Sequence, residues 1–241
     1  MRHSTHLLRT IQPVNDSLLS GFLGWWKFNE GSGTTCADSS TNNNPLTLSH
    51  NNNSGNSWVS PGHNSSNSAL WLRATVGGNY NGARNEAPTG LNIGTSAFTV
   101  SMWVKDSSNV YYCFSVGSAS AGIAIHTHGF AYGHPGFNIN NPTSQSAEYF
   151  NGTINAGWTH FVVTKEAGAT HKQANSYINN VYCSNLGNSG GNTQVNIDGT
   201  NVIIGSLYMA GAYNFDAAID DVRFYNRVLT AAEVNTLYTT T

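Results

Sequence analysis

The carboxylates of this sequence are scattered rather than paired. Glycoside hydrolysis needs two carboxyl groups, one on either side of the bond that is cleaved. The glutamates stand far apart along the chain, at Glu30, Glu86, Glu148, Glu166 and Glu233. A phosphate-binding loop of the form G-x-x-x-x-G-K is also absent from the sequence. The sequence therefore predicts a protein without catalytic activity.

Asp220 is the carboxylate whose position requires a partner. In the run AIDDVRFY, residues 218–225, the side chains alternate, which predicts a strand from Ile219 to Tyr225. The alternation puts Asp220 on the same face as Val222 and Phe224, the expected core face. A carboxylate there must be hydrogen-bonded, ion-paired or bound to a metal ion. We expect Asp220 to be buried, with at least one strong partner.

Three histidines are spaced in a way that could bind a transition metal. His126 and His128 fall on one face of a predicted strand, and His134 follows a turn that contains glycine. Imidazoles at such spacing can hold zinc or nickel. The competing interpretation is a polar strand surface, and it is favoured because no fourth ligand or cysteine is close in the sequence.

Two tyrosines in predicted loops are candidates for ligand contact. Aromatic residues make up 11% of the chain, and most must lie in the core. Tyr80, in the run GGNYNG, and Tyr213 stand beside glycine and asparagine instead. A tyrosine ring next to an amide can stack on a sugar, so both are candidates for glycan binding. The alternative for each is an ordinary turn or interface residue.

The composition indicates one all-β domain and excludes several classes of partner. Only 9% of the 241 residues are charged, the net charge is −2, and ten Lys and Arg cannot form the basic surface of a nucleic-acid-binding protein. The three cysteines have no C-x-x-C spacing, which excludes a zinc ribbon. We find no signal peptide and no apolar run of transmembrane length.

Local patterns predict several elements. Phe98–Lys105 alternates as a strand should. Thr230 and Glu233 have the spacing of a capping box, which predicts a short helix from Ala231 to Tyr238. In the run YINNVY, residues 177–182, the two asparagines tolerate positive φ values and predict a tight hairpin.

Four stretches resemble one known family. They are GWWKFNEGSGTTCADSS from residue 24, FTVSMWVK from residue 98, GWTHFVVTK from residue 157, and IDDVRFYNRVL from residue 219. Together they are similar to the laminin-G-like (LamG-like) jelly-roll family, within the concanavalin A-like lectin and glucanase superfamily. The resemblance implies an antiparallel two-sheet jelly-roll β-sandwich over residues 24–241, with a short C-terminal helix and an N-terminal extension over residues 1–23.

The same resemblance implies a structural calcium ion near the rim of the sandwich. Family members often hold the ion between an acidic residue of the closing strand and residues of the first loop. The matching positions in this sequence are Asp220 and Asp38. Calcium takes six to eight oxygen ligands, and asparagine side chains and backbone carbonyls could supply several of them. The alternative is a hydrogen bond of purely structural value.

The N-terminal extension carries five large apolar side chains whose exposure to water would be unfavourable. They are Leu7, Leu8, Ile11, Leu18 and Leu19. Each would lose about 1.5–3 kcal/mol if left exposed rather than buried. The arm either folds back on its own domain or docks on a neighbouring subunit. Pro13 and the pair Asn15-Asp16 favour an outward path, so we expect docking and an oligomer or larger assembly.

These observations leave two functions open. The first is a non-catalytic recognition or attachment module for adhesion, which binds glycans within a larger surface or virion-like assembly. The second is a purely structural subunit without a small ligand, such as a virion decoration, head-fibre or tail-fibre protein. Both place the protein on an extracellular-facing or virion surface.

Overall fold

The protein is a sandwich of two antiparallel β-sheets with one short helix. The computed structural model describes residues 16–48, 56–65, 67–73, 82–106, 112–128, 133–139, 147–187, 192–207 and 215–241. Its strands are β1 (Phe22–Trp26), β2 (Thr35–Cys36), β3 (Leu46–Leu48), β4 (Ser57–Val59), β5 (Ala69–Leu72), β6 (Ala83–Asn85), β7 (Phe98–Asp106), β8 (Tyr112–Gly117), β9 (Gly122–His126), β10 (Gly136–Ile139), β11 (Ala147–Phe150), β12 (Trp158–Lys165), β13 (Asn175–Ile178), β14 (Val181–Cys183), β15 (Asn185–Gly187), β16 (Val202–Ile204) and β17 (Ala217–Tyr225). The helix is α1 (Ala231–Thr240), and 3-10 turns span Asp16–Leu19 and His171–Gln173.

The strand order confirms the predicted two-sheet class. The first sheet has the order β14-β13-β12-β7-β17-β5-β4, with β1 also paired to β17. The second sheet has the order β15-β11-β10-β9-β8-β16-β6-β3-β2. Neighbours in the sheets are often distant in the chain, as in a jelly roll. None of the described helices is long and apolar enough to cross a membrane.

The core lies between the two sheets and follows the alternation of β7. Phe98, Val100, Met102 and Val104 are all fully buried in the main hydrophobic cluster. Second-sheet residues such as Phe114 belong to the same cluster. At about 1.5–3 kcal/mol for each large side chain, this inner layer is the main source of stability.

A β-bulge in β17 overturns one prediction from the sequence. Register partners shift between Asp220 and Arg223, and Asp221 has a φ of 45°. An extra residue in one strand moves the side chains that follow it to the opposite face. Ile219 therefore lies in the core together with Val222, while Asp220 lies on the outer face, opposite Trp103. The expectation that Asp220 shares the core face was wrong.

Helix α1 covers part of the outer face of the first sheet. Its cap is the predicted capping box, in which Glu233 N–H donates to Thr230 Oγ1 and Thr230 N–H donates to Glu233. Helix residues then form a second apolar cluster with the sheet and with the 3-10 turn, whose buried members are Leu18, Val162, Tyr225, Leu229, Val234 and Leu237. The helix thus adds a third layer to the sandwich.

The structure places only the base of the N-terminal arm. Leu18 is buried in its own domain, so this residue does not need the neighbouring subunit that the sequence suggested. Leu19 is 52% exposed. Leu7, Leu8 and Ile11 lie outside the described residues.

Candidate functional site

The two tyrosines predicted to bind a ligand, Tyr80 and Tyr213, lie outside the described residues. The strands that flank them are nevertheless in place. Strand β5 ends at Leu72 before the first of them, and β17 begins at Ala217 after the second. Leu72 and Ala217 are register partners in the first sheet. The described ends of the two flanking strands therefore lie side by side in the first sheet.

Asp220 is buried and strongly paired, as predicted, and its partner is a histidine. His63 Nδ1 lies 2.7 Å from Asp220 Oδ2, and the backbone N–H of His63 donates to the same oxygen over 3.0 Å. Asp221 N–H donates to the other oxygen over 2.9 Å. Burial raises the pKa of Asp220, and the hydrogen bonds from His63 act in the opposite direction. These contacts fasten the loop that carries His63 to the first sheet.

The His63 ring belongs to a stack of aromatic rings on this outer face. It lies parallel to Trp103 with ring centroids 4.7 Å apart, and Trp103 also stacks on Tyr238 of α1 at 5.7 Å. His160 packs against Trp103 at 5.1 Å. The stack therefore joins the His63 loop, two strands and the C-terminal helix.

One pair in this region has the elements of nucleophilic catalysis without its geometry. Ser101 Oγ lies 2.8 Å from His160 Nε2, as in a serine nucleophile and its base. His160 Nδ1, however, has no partner among the described residues to orient the ring. Burial lowers the pKa of His160 to about 3, and both side chains are closed to solvent. The pair is structural in this arrangement.

Asp38 organises the first loop through its own hydrogen bonds. It accepts from the backbone N–H of Trp25, Ser40 and Asn44, each over 2.8 Å, and from Ser40 Oγ over 2.7 Å. Protein donors thus occupy the carboxylates of both Asp38 and Asp220. In the described part of the chain, no three His, Cys, Asp or Glu side chains group as metal ligands. A calcium ion shared by the two aspartates stays a prediction.

The histidines proposed as metal ligands have different surroundings. His134 Nδ1 lies 3.1 Å from the carbonyl oxygen of Gly152. His126 is buried at the end of β9, and His128 lies beyond that strand. All three cysteines are buried free thiols, so none forms a disulfide.

A row of aromatic side chains crosses the outer face of the second sheet. Tyr112 on β8 pairs in register with His126 on β9, His126 with Gly136 on β10, and Gly136 with Tyr149 on β11. We call these four residues the aromatic row. Only glycine fits at position 136, because a Cβ there would overlap the backbone oxygen of Glu148 and lie 3.0 Å from His126 Cε1. His126 packs on Tyr149 with centroids 5.6 Å apart.

The aromatic row carries polar groups whose hydrogen-bonding capacity is only partly used. Asn138 Nδ2 donates to the Tyr112 hydroxyl over 2.9 Å. His126 Nδ1 and the hydroxyl of Thr127 are buried without a partner at direct hydrogen-bond geometry among the residues described, although the Asn138 side chain also interacts with the His126 ring. Burial lowers the pKa of His126 to about 3, so the ring is neutral at physiological pH. A neutral imidazole can offer both a donor and an acceptor to a ligand.

Sequence reasoning did not find the aromatic row. Its members come from four strands, and only the register brings them together. A partial signal was available, because alternation in GIAIH and GFNI already puts His126 and Asn138 on the side opposite the apolar residues.

Solved structures of other proteins share this architecture. Domain 4 of AbnA, a GH43 extracellular arabinanase from Geobacillus stearothermophilus solved with arabinotriose, matches with a TM-score of 0.65 and 18% identity, over 91% of this chain and 98% of that one. The binding domain of botulinum neurotoxin serotype D/C gives 0.63 and 15%, over 92% of this chain and 53% of that one. A Trypanosoma rangeli sialidase gives 0.58 and 13%, over 90% of this chain and 32% of that one. At these identities the likeness shows the fold alone.

A family model matches most of the sandwich. The match covers residues 77–235 and includes β7, β12 and β17, whose sequences carried the resemblance. The sequence matches none of the curated proteins. The laminin-G-like resemblance is confirmed, and this chain belongs to the Concanavalin A-like lectin/glucanases superfamily.

Proposed function

We propose that this protein is a non-catalytic module that binds glycans through the aromatic row on its second sheet. The observation that carries the proposal is the row itself, in which Tyr112, His126 and Tyr149 lie side by side at one end of the sheet. Aromatic rings can stack on the C–H groups of a sugar, and amides can bind its hydroxyls. The three side chains are only 1%, 4% and 7% exposed, so a sugar reaches them only if the residues over the row move aside. Asn138 lies on the same face and donates to the Tyr112 hydroxyl, so its amide helps to position the row.

The polar groups of the row support a ligand with hydroxyl groups. A buried donor or acceptor without a partner is unfavourable by about 1–3 kcal/mol, so a fold retains one where it has a use. His126 Nδ1 is such a group. Glu148, on the neighbouring strand β11, shares the face of its register partner Phe137 in the core. The row therefore presents no charge of its own, which suits a neutral saccharide.

Names of structural relatives support the same class of ligand. The arabinanase domain was solved with arabinotriose, and botulinum neurotoxin serotype D has been solved with N-acetylneuraminic acid bound to its ligand-binding domain. At 18% and 13% identity, a shared fold does not show that the binding sites are shared. The relatives define which glycans to test first, one a neutral pentose oligomer and the other an acidic sugar.

A glycan array followed by calorimetry tests the proposal. We expect binding to neutral oligosaccharides, weakened about tenfold or more in Tyr149→Ala, since one stacked ring contributes roughly a tenfold factor in affinity. The matched control is Tyr238→Ala, which removes a tyrosine ring stacked on the outer face of the first sheet. Equal loss in both variants, or no loss in either, would place the site elsewhere.

The array also separates the two functions that the sequence left open. A protein that binds no glycan at millimolar concentration would favour the structural subunit. In that case the N-terminal arm becomes the element to study, because Leu7, Leu8 and Ile11 would still need cover. Deleting residues 1–15 leaves Leu18 in its cluster, so the shortened protein should fold. Failure of this variant to enter its assembly would establish the structural role.

A further inference from the structure

Glu148 is a buried carboxyl group in the inner layer of the sandwich, near one edge of the second sheet. It lies on β11 opposite Phe137 of β10 in the core, and only 1% of it is exposed. The N–H of Gly187, on β15, donates to the carboxyl group. Its Oε1 atom is buried and has no partner among the described residues. An ionisable group thus lies in an apolar layer with one oxygen unused.

A second oxygen without a partner lies on the edge strand next to it. Oδ1 of Asn185, on β15, is buried and unpartnered in the part of the chain that the structure describes. The amide nitrogen of Asn185 donates to the carbonyl oxygen of Lys172 over 2.8 Å, so the amide oxygen is the free end of the side chain. Glu148 Oε1 and Asn185 Oδ1 are both acceptors when the carboxyl group is ionised. Neither can then satisfy the other.

The strand register brings these two oxygens within reach of each other. Asn185 pairs with Phe150 on β11, and Glu148 precedes Phe150 by two residues on the same inner face. Diagonal neighbours of this kind are about 7–8 Å apart, a distance that a long side chain spans. Lys172 adjoins both, because it accepts from Asn185 and its charge acts on Glu148. A proton on the carboxyl group would turn the two acceptors into a hydrogen-bonded pair.

We propose that Glu148 carries a proton and donates it in a hydrogen bond to Asn185 Oδ1, which fastens the edge strand β15 to β11 until a rise in pH removes it. In the protonated state one carboxyl oxygen donates to Asn185 and the other accepts from Gly187, so all three buried groups are satisfied. Loss of the proton to solvent leaves a charge in the apolar layer with too few donors, which is unfavourable. Strand β15 then loses one of its side-chain contacts with β11.

The surroundings of Glu148 favour the protonated form. Burial raises the pKa of Glu148 to about 7, although backbone N–H groups and the charge of Lys172 act in the opposite direction. Lys172 is exposed, so solvent screens its charge. With a folded-state pKa above the ordinary 4.5, the proton contributes stability that is complete below pH 4.5 and is lost as the pH rises to about 7.

Other titratable groups near this carboxyl group do not change that direction. His171, in the adjacent 3-10 turn, is buried, and burial lowers its pKa, so it is neutral at neutral pH. The Cys183 thiol on β14 is buried, and burial raises its pKa. Strands β10 and β15 contain no titratable side chain, and Tyr177 of β13 packs in the cluster on the outer face. The adjoining segments, residues 140–146 and 188–191, contain no titratable residue.

Carbon NMR of the side-chain carboxyl groups, followed from about pH 4 to about pH 9, tests the proposal. Glu148→Gln identifies the Glu148 signal by its absence. We expect a midpoint near 7 in the natural chain. Asn185→Leu removes the acceptor and keeps the site apolar, so the midpoint should fall by about one unit if the hydrogen bond exists. Burial alone would leave the midpoint unchanged or raise it.

Denaturant titrations give an independent test. A glutamine amide donates at every pH, so Glu148→Gln mimics the protonated side chain. We expect the unfolding equilibrium constant of the natural chain, divided by that of Glu148→Gln, to rise at least about tenfold between about pH 5 and about pH 8. Other titrating groups cancel in this ratio. Glu86→Gln is the matched control, because Glu86 is exposed, and its ratio to the natural chain should stay nearly constant over the same range.

Three results would overturn the proposal. One is a Glu148 midpoint near the ordinary 4.5, and another is a pH-independent ratio for Glu148→Gln. The third is a midpoint that Asn185→Leu does not lower. If Asn185→Leu does not fold, Asn185→Asp replaces it, because two adjoining carboxyl groups share one proton and the midpoint should rise by about one unit or more. An unchanged midpoint in Asn185→Asp would count against the proposal equally. Glycan binding plays no part in this inference.

Discussion

The outer faces of the two sheets differ in what covers them and in how densely their polar groups are paired. On the first sheet many polar side chains bond to one another or to the backbone, and helix α1 with the His63 loop lies over them, although His160 Nδ1 and His63 Nε2 have no partner among the described residues. Arg223 and Asp221 form an ion pair over 2.7 Å, and Asp221 also accepts from Trp25 Nε1 over 2.6 Å. On the second sheet, the aromatic row is also buried, and His126 Nδ1 has no direct hydrogen-bond partner among the described residues.

The difference teaches how one sandwich can separate stability from recognition. Removing one member of a buried pair on the first sheet lowers the free energy of unfolding, because the other member is left without a partner. A buried group without a partner reduces the stability of the protein alone, and at His126 Nδ1 on the second sheet we propose that a ligand satisfies it. Violations of local rules are expected at functional positions rather than in supporting ones. The predictions below test this contrast in order of the expected effect.

The largest effect should come from Asp220, the central acceptor of the first outer face. Asp220→Ala leaves His63 buried without its partner, and we expect the free energy of unfolding to fall by about 3 kcal/mol. Urea denaturation followed by fluorescence measures the change. The control is Glu86→Ala, since Glu86 is exposed and its ion pair with Arg84 should contribute less than about 1 kcal/mol. Equal effects in the two variants would remove the contrast between the faces.

Local patterns in the sequence predicted strands and helices well, but they did not predict which distant side chains come into contact. The alternation of Phe98–Lys105 predicted β7, and the spacing of Thr230 and Glu233 predicted the start of α1, because neighbouring residues alone determine both. Alternation placed Asp220 on the wrong face because a bulge inserts a residue that a period of two does not contain. The need for a partner could be inferred, but His63 lies 157 residues away.

The aromatic row was beyond sequence reasoning for the same reason. Tyr112, His126 and Tyr149 become neighbours only once the register of four strands is known. Tyrosine and histidine are also common in sandwich cores, so their types alone do not mark a site. What distinguishes the row is the unpartnered Nδ1 of His126, which is a property of the folded structure.

Helix α1 should be the next most sensitive element of the first outer face. Leu237 is buried in the cluster that joins the helix to the sheet. Leu237→Ala removes that contact, and a cost of about 2–3 kcal/mol is typical of such cavities. Thermal melting measures the loss. Glycan binding should be unchanged in the folded variant, since the helix covers the other sheet; a parallel loss of binding would show that the two faces are not separate.

Glu233 should make the same face sensitive to acid. Burial raises the pKa of Glu233, but hydrogen bonds from Arg227 and Thr230 outweigh burial and hold it at about 2. A depressed folded-state pKa contributes stability that is present above the unfolded value, near 4.5, and is lost as the pH falls toward 2. We expect Glu233→Gln to lose about 1–2 kcal/mol at pH 7 and little at pH 2. Denaturation at several pH values checks this, and a loss independent of pH would exclude the charge as its cause.

The smallest change in stability should come from a substitution at Thr127. It is informative when compared with the same substitution at Thr99. Both side chains are fully buried, one beside His126 and the other on the first outer face. Thr99 Oγ1 donates to the carbonyl of Arg227 over 2.8 Å and accepts from Leu229 N–H over 3.0 Å, whereas Thr127 Oγ1 has no partner in the described structure. Replacement by valine keeps the shape and removes only the hydroxyl.

Thr99→Val should therefore lower the free energy of unfolding by about 2 kcal/mol. The substitution leaves the N–H of Leu229 and the carbonyl oxygen of Arg227 without their partner. Thr127→Val leaves no hydrogen-bond partner unpaired, so we expect the free energy of unfolding to be unchanged or raised by up to about 1 kcal/mol. Denaturant titrations of the two variants under one condition give the difference directly. A cost at Thr127 equal to that at Thr99 would mean that its hydroxyl is satisfied in the folded protein. The hydroxyl of Thr127 would then no longer support a binding role for the second outer face, and that role would rest on His126 Nδ1.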